Sequence, residues 1–393
     1  MSLFRIRNGN QMIAEGAIAA GCRFFAGYPI TPASGIYKFM IDELPKRGDV
    51  AISSPDEISA LAFCVGASQR GFKAMTATSG PGFSLMVETL QYAVMTETPV
   101  VIALVQRLGP STGGATQGGQ GDALFVGYSI AGGYTIPVFS PSNPVEAYEL
   151  TIHAFDVAEK FRTPVVLLTD KEVGMTSENV DYEKLPDAEA IGRKYFAQSR
   201  PWSGSRQSSG QDGGKYKTYA FGKRDEVPEF ANVGGDVKVT ITGSAHDMAG
   251  RLQKNSPETI EVLRHLQEKI SFHADEMTKL DLDLSEGSDT VVLSYGISAR
   301  TSREAIANLR SKGKRVSFVN LQTLFPIPEK EILKAVANAK NVVVVEENMT
   351  GLYKSQIEKL FHGKKVIGVN DVGRMITPEK IEHAVLSSSR KDN

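Results

Sequence analysis

The sequence predicts an α/β fold in which a parallel β-sheet is covered by helices on both faces and is followed by a smaller α/β domain. Short apolar segments alternate with longer helical segments over the first 175 residues, as in repeated strand–helix units. Continuous apolar runs such as residues 100–105 are typical of strands that are buried on both faces. The same alternation returns after residue 289, so we expect a second sheet there.

The first domain is expected to span residues 1–175. The helix over residues 9–21 ends at a glycine, and the apolar strand over residues 23–29 ends at a Tyr-Pro turn. The remaining predicted elements are helix 32–44, strand 50–54, helix 56–69, strand 73–78, helix 83–95, strand 99–105, strand 134–140, helix 144–161 and strand 164–169. Together they predict one sheet of parallel strands.

Residues 176–288 lack this rhythm and are expected to form an irregular connecting region. Residues 203–217 are dense in Gly, Ser and Gln, so we expect a mobile segment at the surface. A strand over 237–242 and an amphipathic helix from Ser256 to about Leu280 are predicted after it. The second domain, residues 289–393, is predicted to contain strand 290–295, helix 298–312, strand 315–320, helix 328–338, strand 341–346, helix 351–361 and strand 365–369.

The composition is that of an ordinary globular protein and excludes several functional classes. The chain has 393 residues, 41% hydrophobic and 23% charged, and its net charge of −1 leaves no basic footprint for nucleic acid. Its two cysteines, Cys22 and Cys64, are not spaced as metal ligands, so no disulfide framework and no zinc or iron–sulfur site is expected on this chain. No apolar run is long enough for a membrane span and the polar start is no signal peptide, so we expect a cytoplasmic protein without a membrane partner.

The turn after the strand 23–29 is the first candidate site. Thr31 follows Tyr28 and Pro29 and places a free hydroxyl where a helix is predicted to begin at Pro32. The N-terminus of a helix presents unpaired backbone N–H groups and the positive end of a dipole, which suits an anionic group such as a carboxylate. Many α/β turns share this pattern, so two later features are needed to give it weight.

Glu57 opens the helix that follows Ser53-Ser-Pro-Asp. An acid in the first turn of a helix commonly serves only to complement the helix dipole. The preceding strand should nevertheless place this carboxylate at the carboxyl edge of the parallel sheet, where ligands of α/β proteins bind. A structural role and a catalytic role therefore both remain open for Glu57 at this point.

Arg107 ends the strand 99–105 and begins a loop that continues to Asp122. The loop is rich in glycine, threonine and glutamine, so it can approach a ligand closely and supply hydroxyl, amide and backbone donors. A guanidinium group can bind a carboxylate through two hydrogen bonds. The alternative is an exposed arginine on a flexible turn, and the loop alone favours neither interpretation.

Two further motifs are better explained as structural. The turn Ser79-Gly-Pro-Gly precedes a helix, but it matches neither the phosphate loop nor the dinucleotide-binding fingerprint, so a strand-to-helix turn that supports the site is expected. His246 and Asp247 could form an acid–base pair, but a hydrogen bond that orders their loop is the simpler interpretation.

Together these segments resemble the α subunit of the 2-oxoacid:ferredoxin oxidoreductases, most closely the 2-oxoglutarate branch of that family. The similarity is strong over roughly residues 1–175 and weaker in the C-terminal part. The segments that carry it are Gly9-Asn10, Ala14-Glu15-Gly16-Ala17, Gly21–Pro32, Asp56-Glu57, Lys73–Met86, Arg107, Gly109–Gly113, Gln120-Gly-Asp, Leu324-Phe-Pro and Glu346-Glu-Asn. The resemblance implies a thiamine-diphosphate pyrimidine-binding domain followed by a transketolase-C-like domain.

The resemblance also implies which residues meet the cofactor. Glu57 would be the catalytic carboxylate, held against N1′ of the thiamine pyrimidine so that the cofactor's own amino group can act as a base. Tyr28 and Pro29 would lie beside the same ring. This chain would therefore bind the pyrimidine half of thiamine diphosphate.

The substrate residues are implied in the same way. Thr31 and Arg107 would hold the C1 carboxylate of the 2-oxoacid close to the reacting part of the cofactor. Thr116 would face the side chain of the substrate, which in 2-oxoglutarate ends in a second carboxylate. The expected reaction is the oxidative decarboxylation of a 2-oxoacid, foremost 2-oxoglutarate, with coenzyme A to acyl-CoA (succinyl-CoA), CO₂ and reduced ferredoxin.

The rest of the cofactor site is expected on other chains. Enzymes of this type hold the diphosphate through magnesium with a Gly-Asp-Gly…Asn signature, which this sequence lacks. The resemblance therefore implies a β subunit that supplies magnesium, the diphosphate contacts and a 4Fe-4S cluster. A γ subunit would be a separate chain or lost, and ferredoxin would be the electron acceptor.

Two alternative functions remain open. A subunit of a non-oxidative thiamine-dependent decarboxylase would use Glu57 in the same way but release a free aldehyde. A catalytically silent scaffold subunit would keep only the fold, although the presence of Thr31, Glu57 and Arg107 argues against it.

Overall fold

The computed structural model describes residues 3–188, 191–196 and 216–388. The strands are β1 (Phe4–Asn8), β2 (Phe24–Gly27), β3 (Val50–Ser53), β4 (Ala74–Thr78), β5 (Val100–Gln106), β6 (Val138–Phe139), β7 (Pro164–Asp170), β8 (Ser177–Asp181), β9 (Leu280–Asp283), β10 (Thr290–Ser294), β11 (Ser317–Leu321), β12 (Thr323–Phe325), β13 (Asn341–Glu346) and β14 (Lys365–Asn370). The helices are α1 (Gly9–Ala19), α2 (Ser34–Glu43), α3 (Glu57–Gln69), α4 (Gly80–Met95), α5 (Ala123–Gly127), α6 (Pro144–Phe161), α7 (Lys171–Met175), α8 (Pro257–Phe272), α9 (Ala274–Met277), α10 (Gly296–Ser311), α11 (Glu329–Ala335), α12 (Leu352–Ile357) and α13 (Pro378–Ser388).

The larger sheet has seven strands in the order β12-β6-β7-β5-β4-β2-β3, and its neighbours from β6 to β3 are all parallel. The central strand β5 shows why its sequence is apolar throughout. Val101 and Val105 belong to the core beneath α1, α2 and α6, whereas Val100 and Leu104 belong to the core beneath α3 and α4. The predicted parallel sheet with helices on both faces is therefore confirmed.

The smaller sheet has five strands in the order β14-β13-β10-β11-β9, all parallel except the antiparallel edge strand β9. Helices α10 and α13 cover one face, through Leu309 and Ile381 among others. The opposite face contributes Leu293 and Val344 to the same core that contains Leu90 of α4. The two sheets therefore share one hydrophobic core, and the second α/β domain packs directly on the helices that flank the first sheet.

Strand β12 ties the two parts of the chain together. It follows the smaller sheet's β11 in sequence but pairs antiparallel with β6 of the larger sheet, with Thr323 opposite Phe139 and Phe325 opposite Val138. The expectation of a purely parallel first sheet is corrected at this edge. A run of three residues before Pro326 carries too little periodicity to be recognised as a strand from sequence.

The structure corrects several elements of the predicted connecting region. Residues 237–242 form no strand, because no neighbouring strand pairs with their alternating pattern; the backbone N–H of Thr240 instead donates to Thr218 Oγ1 at 3.4 Å. The helix predicted to reach Leu280 ends at Phe272 and is followed by α9 and by β9, which pairs with β11.

Other boundaries also differ from the sequence expectation. The strand predicted over 134–140 is limited to β6, and β1 pairs with β8 in a two-stranded antiparallel ribbon that the sequence did not indicate. Most of the Gly/Ser-rich segment, residues 203–215, lies outside the described residues. Within the described ranges, none of the helices combines the length and apolarity needed to cross a membrane.

Candidate active site

The carboxyl ends of β2, β3, β4 and β5 meet at one edge of the larger sheet, as parallel strands require. Tyr28 to Thr31 follow β2, Glu57 follows β3, the Ser79-Gly-Pro-Gly turn follows β4, and Arg107 follows β5. The structure thus gathers the sequence-predicted candidates at the edge where α/β proteins bind ligands.

Glu57 is the first residue of α3 and only 6% exposed. The preceding residue, Asp56, caps this helix by accepting a hydrogen bond from the Ser59 N–H at 2.7 Å, so the carboxylate of Glu57 is not needed as a cap. In the described part of the chain, the Glu57 carboxylate makes no hydrogen bond. Since Asp56 already caps α3, the Glu57 carboxylate is left available to a ligand.

Gly82 on α4 makes room for this carboxylate. A Cβ atom at Gly82 would lie 2.6 Å from Glu57 Oε1 and would also overlap the Thr78 hydroxyl. The second glycine of the Ser79-Gly-Pro-Gly turn is therefore required by close approach to Glu57. Ser79 is the N-cap residue of α4 and follows directly on β4, so the predicted strand-to-helix turn is confirmed.

Arg107 is buried as well, at 6% exposure, and it contacts Thr31 directly. Its Nη1 donates to the backbone carbonyl of Thr31, and its Nη2 donates to the carbonyl of Thr112 at 3.0 Å. Its Nε–H is buried and has no acceptor among residues 3–188, 191–196 and 216–388. The interpretation of Arg107 as an exposed residue on a flexible turn is therefore wrong.

Thr31 is half-buried, and the helix that was predicted to begin at Pro32 begins at Ser34. The hydroxyl of Thr31 therefore stands before the first turn of α2 rather than within it. Its side chain forms no hydrogen bond to any described residue. Thr31 and Arg107 thus place an unused hydroxyl and an unused guanidinium N–H in the same neighbourhood.

The rest of the Arg107 loop folds back on itself. Gly114 N–H donates to the Leu108 carbonyl at 2.8 Å, and Leu108 N–H donates to the Gln117 carbonyl at 2.9 Å. Thr116 is exposed on this loop and has no hydrogen bond to Arg107 or to Thr31. The structure therefore brings Arg107 and Thr31 together but does not bring Thr116 into contact with them.

Asp122 is a second carboxylate at this edge, and the sequence analysis did not single it out. Its Oδ2 is buried without a hydrogen-bond partner in the described chain, and a Cβ at Gly80 would lie 2.5 Å from that atom. Burial raises the pKa of Asp122 to about 6, while the nearby charge of Arg107 acts to lower it. Its place in the segment Gln120-Gly-Asp was the one signal in the sequence that could have found it.

A cavity of about 460 Å³ opens beside these groups. Arg107 and Asp122 line it from the first domain, and Asn348 and Met349 line it from the second. Pockets of this size that combine apolar walls with a few converging polar groups are typical of small-molecule sites. The boundary between the two α/β domains, which we call the seam, is therefore part of the candidate site.

Exposed apolar side chains occur on α3, which carries Glu57, and on the elements next to it. Tyr28 is 39% exposed, Pro29 is also exposed, and Ile58, Phe63 and Leu85 on α3 and α4 are each between 44% and 50% exposed. Neighbouring exposed apolar side chains often mark a surface that another molecule covers.

The pair His246 and Asp247 lies apart from this edge and orders its own loop, as expected. A ring nitrogen of His246 is 2.9 Å from the Asp247 carbonyl oxygen, and Asp247 accepts hydrogen bonds from the N–H groups of Ala249 and Arg251. These contacts leave the pair no catalytic arrangement.

Two family profiles match the sequence. The family described as "Pyruvate flavodoxin/ferredoxin oxidoreductase, thiamine diP-bdg" matches residues 15–225, and "Pyruvate:ferredoxin oxidoreductase core domain II" matches residues 288–381. The first match contains all of the site candidates on the larger sheet, and the second contains the part of the seam that comes from the smaller sheet.

Similar proteins agree with these profiles. The chain is 41% identical over 380 residues to 2-oxoglutarate synthase subunit KorA of Methanocaldococcus jannaschii, which covers 96% of this chain and 98% of that one. A solved 2-oxoglutarate:ferredoxin oxidoreductase from Magnetococcus marinus, with 2-oxoglutarate, coenzyme A and succinyl-CoA bound, matches 98% of this chain with a TM-score of 0.88 and 30% identity; this chain spans 65% of that one. A split-gene transketolase covers 97% of this chain and 96% of its own at a TM-score of 0.53 and 14% identity, which shows a related fold. The chain therefore belongs to the thiamine-diphosphate-dependent 2-oxoacid:ferredoxin oxidoreductases, as an α subunit.

Proposed function

We propose that this chain forms one half of the active site of a 2-oxoglutarate:ferredoxin oxidoreductase, which converts 2-oxoglutarate and coenzyme A to succinyl-CoA, CO₂ and reduced ferredoxin. The observation that carries the proposal is the buried, unpartnered carboxylate of Glu57 at the carboxyl edge of the larger sheet. The identity to the KorA subunit and the likeness to the Magnetococcus marinus enzyme support 2-oxoglutarate as the substrate.

The residues present fit the pyrimidine ring of thiamine diphosphate. Glu57 offers carboxylate oxygens that accept no hydrogen bond from a described residue. They lie close to α4, because Gly82 has no side chain there. Such a group can accept a hydrogen bond from a ring nitrogen and stabilise its protonated form. Tyr28 and Pro29, exposed at the same edge, provide apolar surface beside a flat ring. When bound, thiamine diphosphate supplies a nucleophilic carbon for the 2-oxo group and accepts the electron pair left by CO₂.

Arg107 and Thr31 are assigned to the C1 carboxylate of the substrate. The two terminal nitrogens of Arg107 already donate to backbone carbonyls, so the guanidinium is fixed in place before any substrate arrives. The unused Nε–H and the Thr31 hydroxyl then offer two donors to one carboxylate, and the buried positive charge strengthens both hydrogen bonds. Thr116 remains assigned to the substrate side chain and would have to come closer when the substrate binds.

The remaining half of the site is assigned to a β subunit. Tyr28 after β2, and Ile58 and Phe63 on α3, are exposed and offer apolar surface that such a subunit would cover. The chain has two cysteines, both buried, and burial raises the pKa of the Cys22 thiol to about 12, so neither suits a metal cluster. Magnesium, the diphosphate contacts and the 4Fe-4S cluster are therefore assigned to the partner, with a γ subunit as a further possible component.

A substrate panel on the reconstituted complex tests this proposal. The chain is co-expressed with its β partner, and ferredoxin reduction is followed with 2-oxoglutarate, pyruvate and branched 2-oxoacids, each with and without coenzyme A. We expect reduction that depends on 2-oxoglutarate and coenzyme A together. Free aldehyde as the product would instead support a non-oxidative decarboxylase, and an assembled complex without turnover on any 2-oxoacid would support a silent scaffold.

A further inference from the structure

The two ends of the Arg107 loop converge on a single buried carboxylate, Asp170. Gln106 lies immediately before Arg107, and its Nε2 donates to Asp170 Oδ1 at 2.7 Å. Gln120 lies where the loop returns, and its Nε2 donates to Asp170 Oδ2 at 3.0 Å. All three side chains are fully buried, so these hydrogen bonds are shielded from competing water.

The Asp170 carboxyl group also accepts a hydrogen bond from the second domain. The Ile297 N–H at the start of α10 donates to Asp170 Oδ2, which places the carboxyl group of Asp170 at the positive end of that helix. Gly296 has a φ of +55°, and a Cβ there would overlap Asp170 Oδ2. The close approach of α10 to the base of the Arg107 loop therefore depends on a glycine.

Gln120 makes most of its contacts across the seam. Its Nε2 also donates to the Tyr295 carbonyl at 3.0 Å, and its Oε1 accepts from Ser298 Oγ and from the Glu347 N–H, each at 2.8 Å. Its backbone N–H donates to the Glu347 carbonyl at 2.7 Å, and its carbonyl accepts from Asn348 Nδ2 at 3.2 Å. Every polar atom of Gln120 is thus hydrogen-bonded, and all of its partners except Asp170 belong to the second domain.

The middle of the loop has no comparable support. Residues 109–113, 116 and 117 are exposed, and the hydrogen bonds that involve Leu108, Gly114 and Gln117 stay within the loop itself. The hydrogen bonds of Arg107 to the Thr31 and Thr112 carbonyls set the final direction of the guanidinium. The backbone that presents Arg107 to these carbonyls, one residue from Gln106, depends on how firmly the seam holds the base of the loop.

We propose that Gln120 is a positioning residue for the carboxylate site: through Gln120 and Asp170, the second α/β domain fixes the loop that carries Arg107. This inference rests on the proposed function, because it assigns Arg107 to the C1 carboxylate of the 2-oxoacid. It gives the second domain a role in 2-oxoacid binding without direct contact to the reacting atoms.

The test compares substitutions at the seam with a matched control on the same helix. Ser298→Ala removes the hydrogen bond to Gln120 Oε1, and Ser302→Ala removes an equally buried serine hydroxyl one turn later that bonds only within α10 and to Ser294. Gln120→Ala removes the side-chain connection entirely. Steady-state kinetics of the αβ complex would be measured for the 2-oxoacid and, separately, for coenzyme A.

We expect Gln120→Ala to raise KM for 2-oxoglutarate by about tenfold to a hundredfold, because misplacement of a binding group by about 1 Å can cost that much. Ser298→Ala should raise KM for 2-oxoglutarate about fivefold, which corresponds to the loss of one hydrogen bond. Ser302→Ala should leave this KM unchanged. KM for coenzyme A should stay constant throughout. A uniform loss of kcat in all three variants would show a purely structural role and overturn the inference.

Amide hydrogen exchange of residues 107–119 provides a second readout that does not need activity. Exchange should be faster in Gln120→Ala and Ser298→Ala than in the parent chain and Ser302→Ala. Unchanged exchange in Gln120→Ala and in Ser298→Ala would overturn the inference even if the complex is active. If the parent complex turned over no 2-oxoacid, the proposed function would fail, while the exchange result would still decide whether the seam holds the loop. Ser298→Ala carries the test if Gln120→Ala does not fold.

Discussion

The open edge of the larger sheet and the seam between the two domains differ in whether their polar side chains are hydrogen-bonded. At the edge, the Glu57 carboxylate, Arg107 Nε and Asp122 Oδ2 have no hydrogen-bond partner among the described residues. At the seam, Gln120 and Asp170 are surrounded by donors and acceptors of the right kind. The edge therefore offers unused donors and acceptors where the proposed ligands would bind, whereas the hydrogen bonds at the seam fix a geometry.

The largest effect is expected from Glu57→Gln, which keeps the shape of the side chain but removes its charge. If Glu57 is the proposed proton partner of the pyrimidine, its loss should lower kcat of the αβ complex by about a hundredfold to ten-thousandfold. The melting temperature should hardly change, because none of the residues that the structure describes makes a hydrogen bond to this carboxylate. Glu304→Gln, at an exposed acid on α10, serves as the control. Activity within a few-fold of the parent would remove Glu57 from the catalytic role.

A smaller effect is expected from the pair Gly82→Ala and Gly66→Ala. The new methyl group at position 82 would meet Glu57 Oε1 at 2.6 Å and push the carboxylate away, so kcat should fall by about tenfold to a hundredfold. At position 66, within α3, a Cβ meets nothing within 4 Å, and the chain should become more stable by about 0.5–1 kcal/mol. The measurements are turnover of the complex for the first variant and thermal unfolding of the chain alone for both. Equal turnover in the Gly82→Ala complex and the parent complex would contradict the tight packing of the edge.

The pH dependence of substrate binding should show whether Asp122 acts on Arg107, with Asp122→Asn separating its titration from that of Asp170, whose pKa burial raises to about 7. The pKa of Asp122 is raised to about 6, so the group is ionised above that pH and partly offsets the charge of Arg107. As the pH falls through 6, protonation of Asp122 ends its competition with the substrate carboxylate for the charge of Arg107. KM for 2-oxoglutarate should then fall several-fold. Asp122→Asn should have the low KM over the whole range. A parent enzyme whose KM does not change near pH 6 would show that Asp122 does not act on Arg107.

The smallest effect concerns stability at the seam. Burial raises the pKa of Glu347 to about 8, with the charge of Asp170 adding to the shift. Its folded-state pKa lies above its usual value of 4.5, so the folded chain binds the proton more tightly than the unfolded chain does. The stabilising contribution of Glu347 to the free energy of unfolding is therefore fully present below about pH 4.5 and is lost as the pH rises to 8. Glu347→Gln should flatten this slope in urea titrations at a series of pH values, and an unchanged slope would contradict the assignment.

The fold was largely predictable because its signal is periodic. The boundaries of α6 and β13 agree with the sequence prediction to the residue, since Pro144 and the apolar run after Asn341 mark them clearly. Strands β1, β8, β9 and β12 were not predicted, because each is short and exists through pairing with a distant segment rather than through its own pattern. Residues 237–242 show the converse: their pattern favours a strand, but no strand among the described residues pairs with them.

The candidate site was predictable only in part, for a related reason. Glu57, Thr31 and Arg107 were singled out because each follows a predicted strand of one parallel sheet, and that topology brings the strand ends together. Their roles stay predictions that rest on the resemblance. Asp122 and Gln120 could not be weighed from sequence, because their importance comes from contacts with Gly80 and with residues far along the chain. Thr116 was selected by resemblance alone, and the structure leaves it exposed.

The short strand β12 has a consequence for any attempt to treat the chain as modular. A cut near residue 288 would separate the smaller sheet but would also strip the larger one of its outermost strand, which exposes the backbone of β6 and the apolar side chains that both sheets bury together. Neither fragment would keep an intact interior, so the chain should unfold as one cooperative unit. Anyone who wishes to exchange the C-terminal portion between relatives would have to transplant β12 together with the surface that receives it.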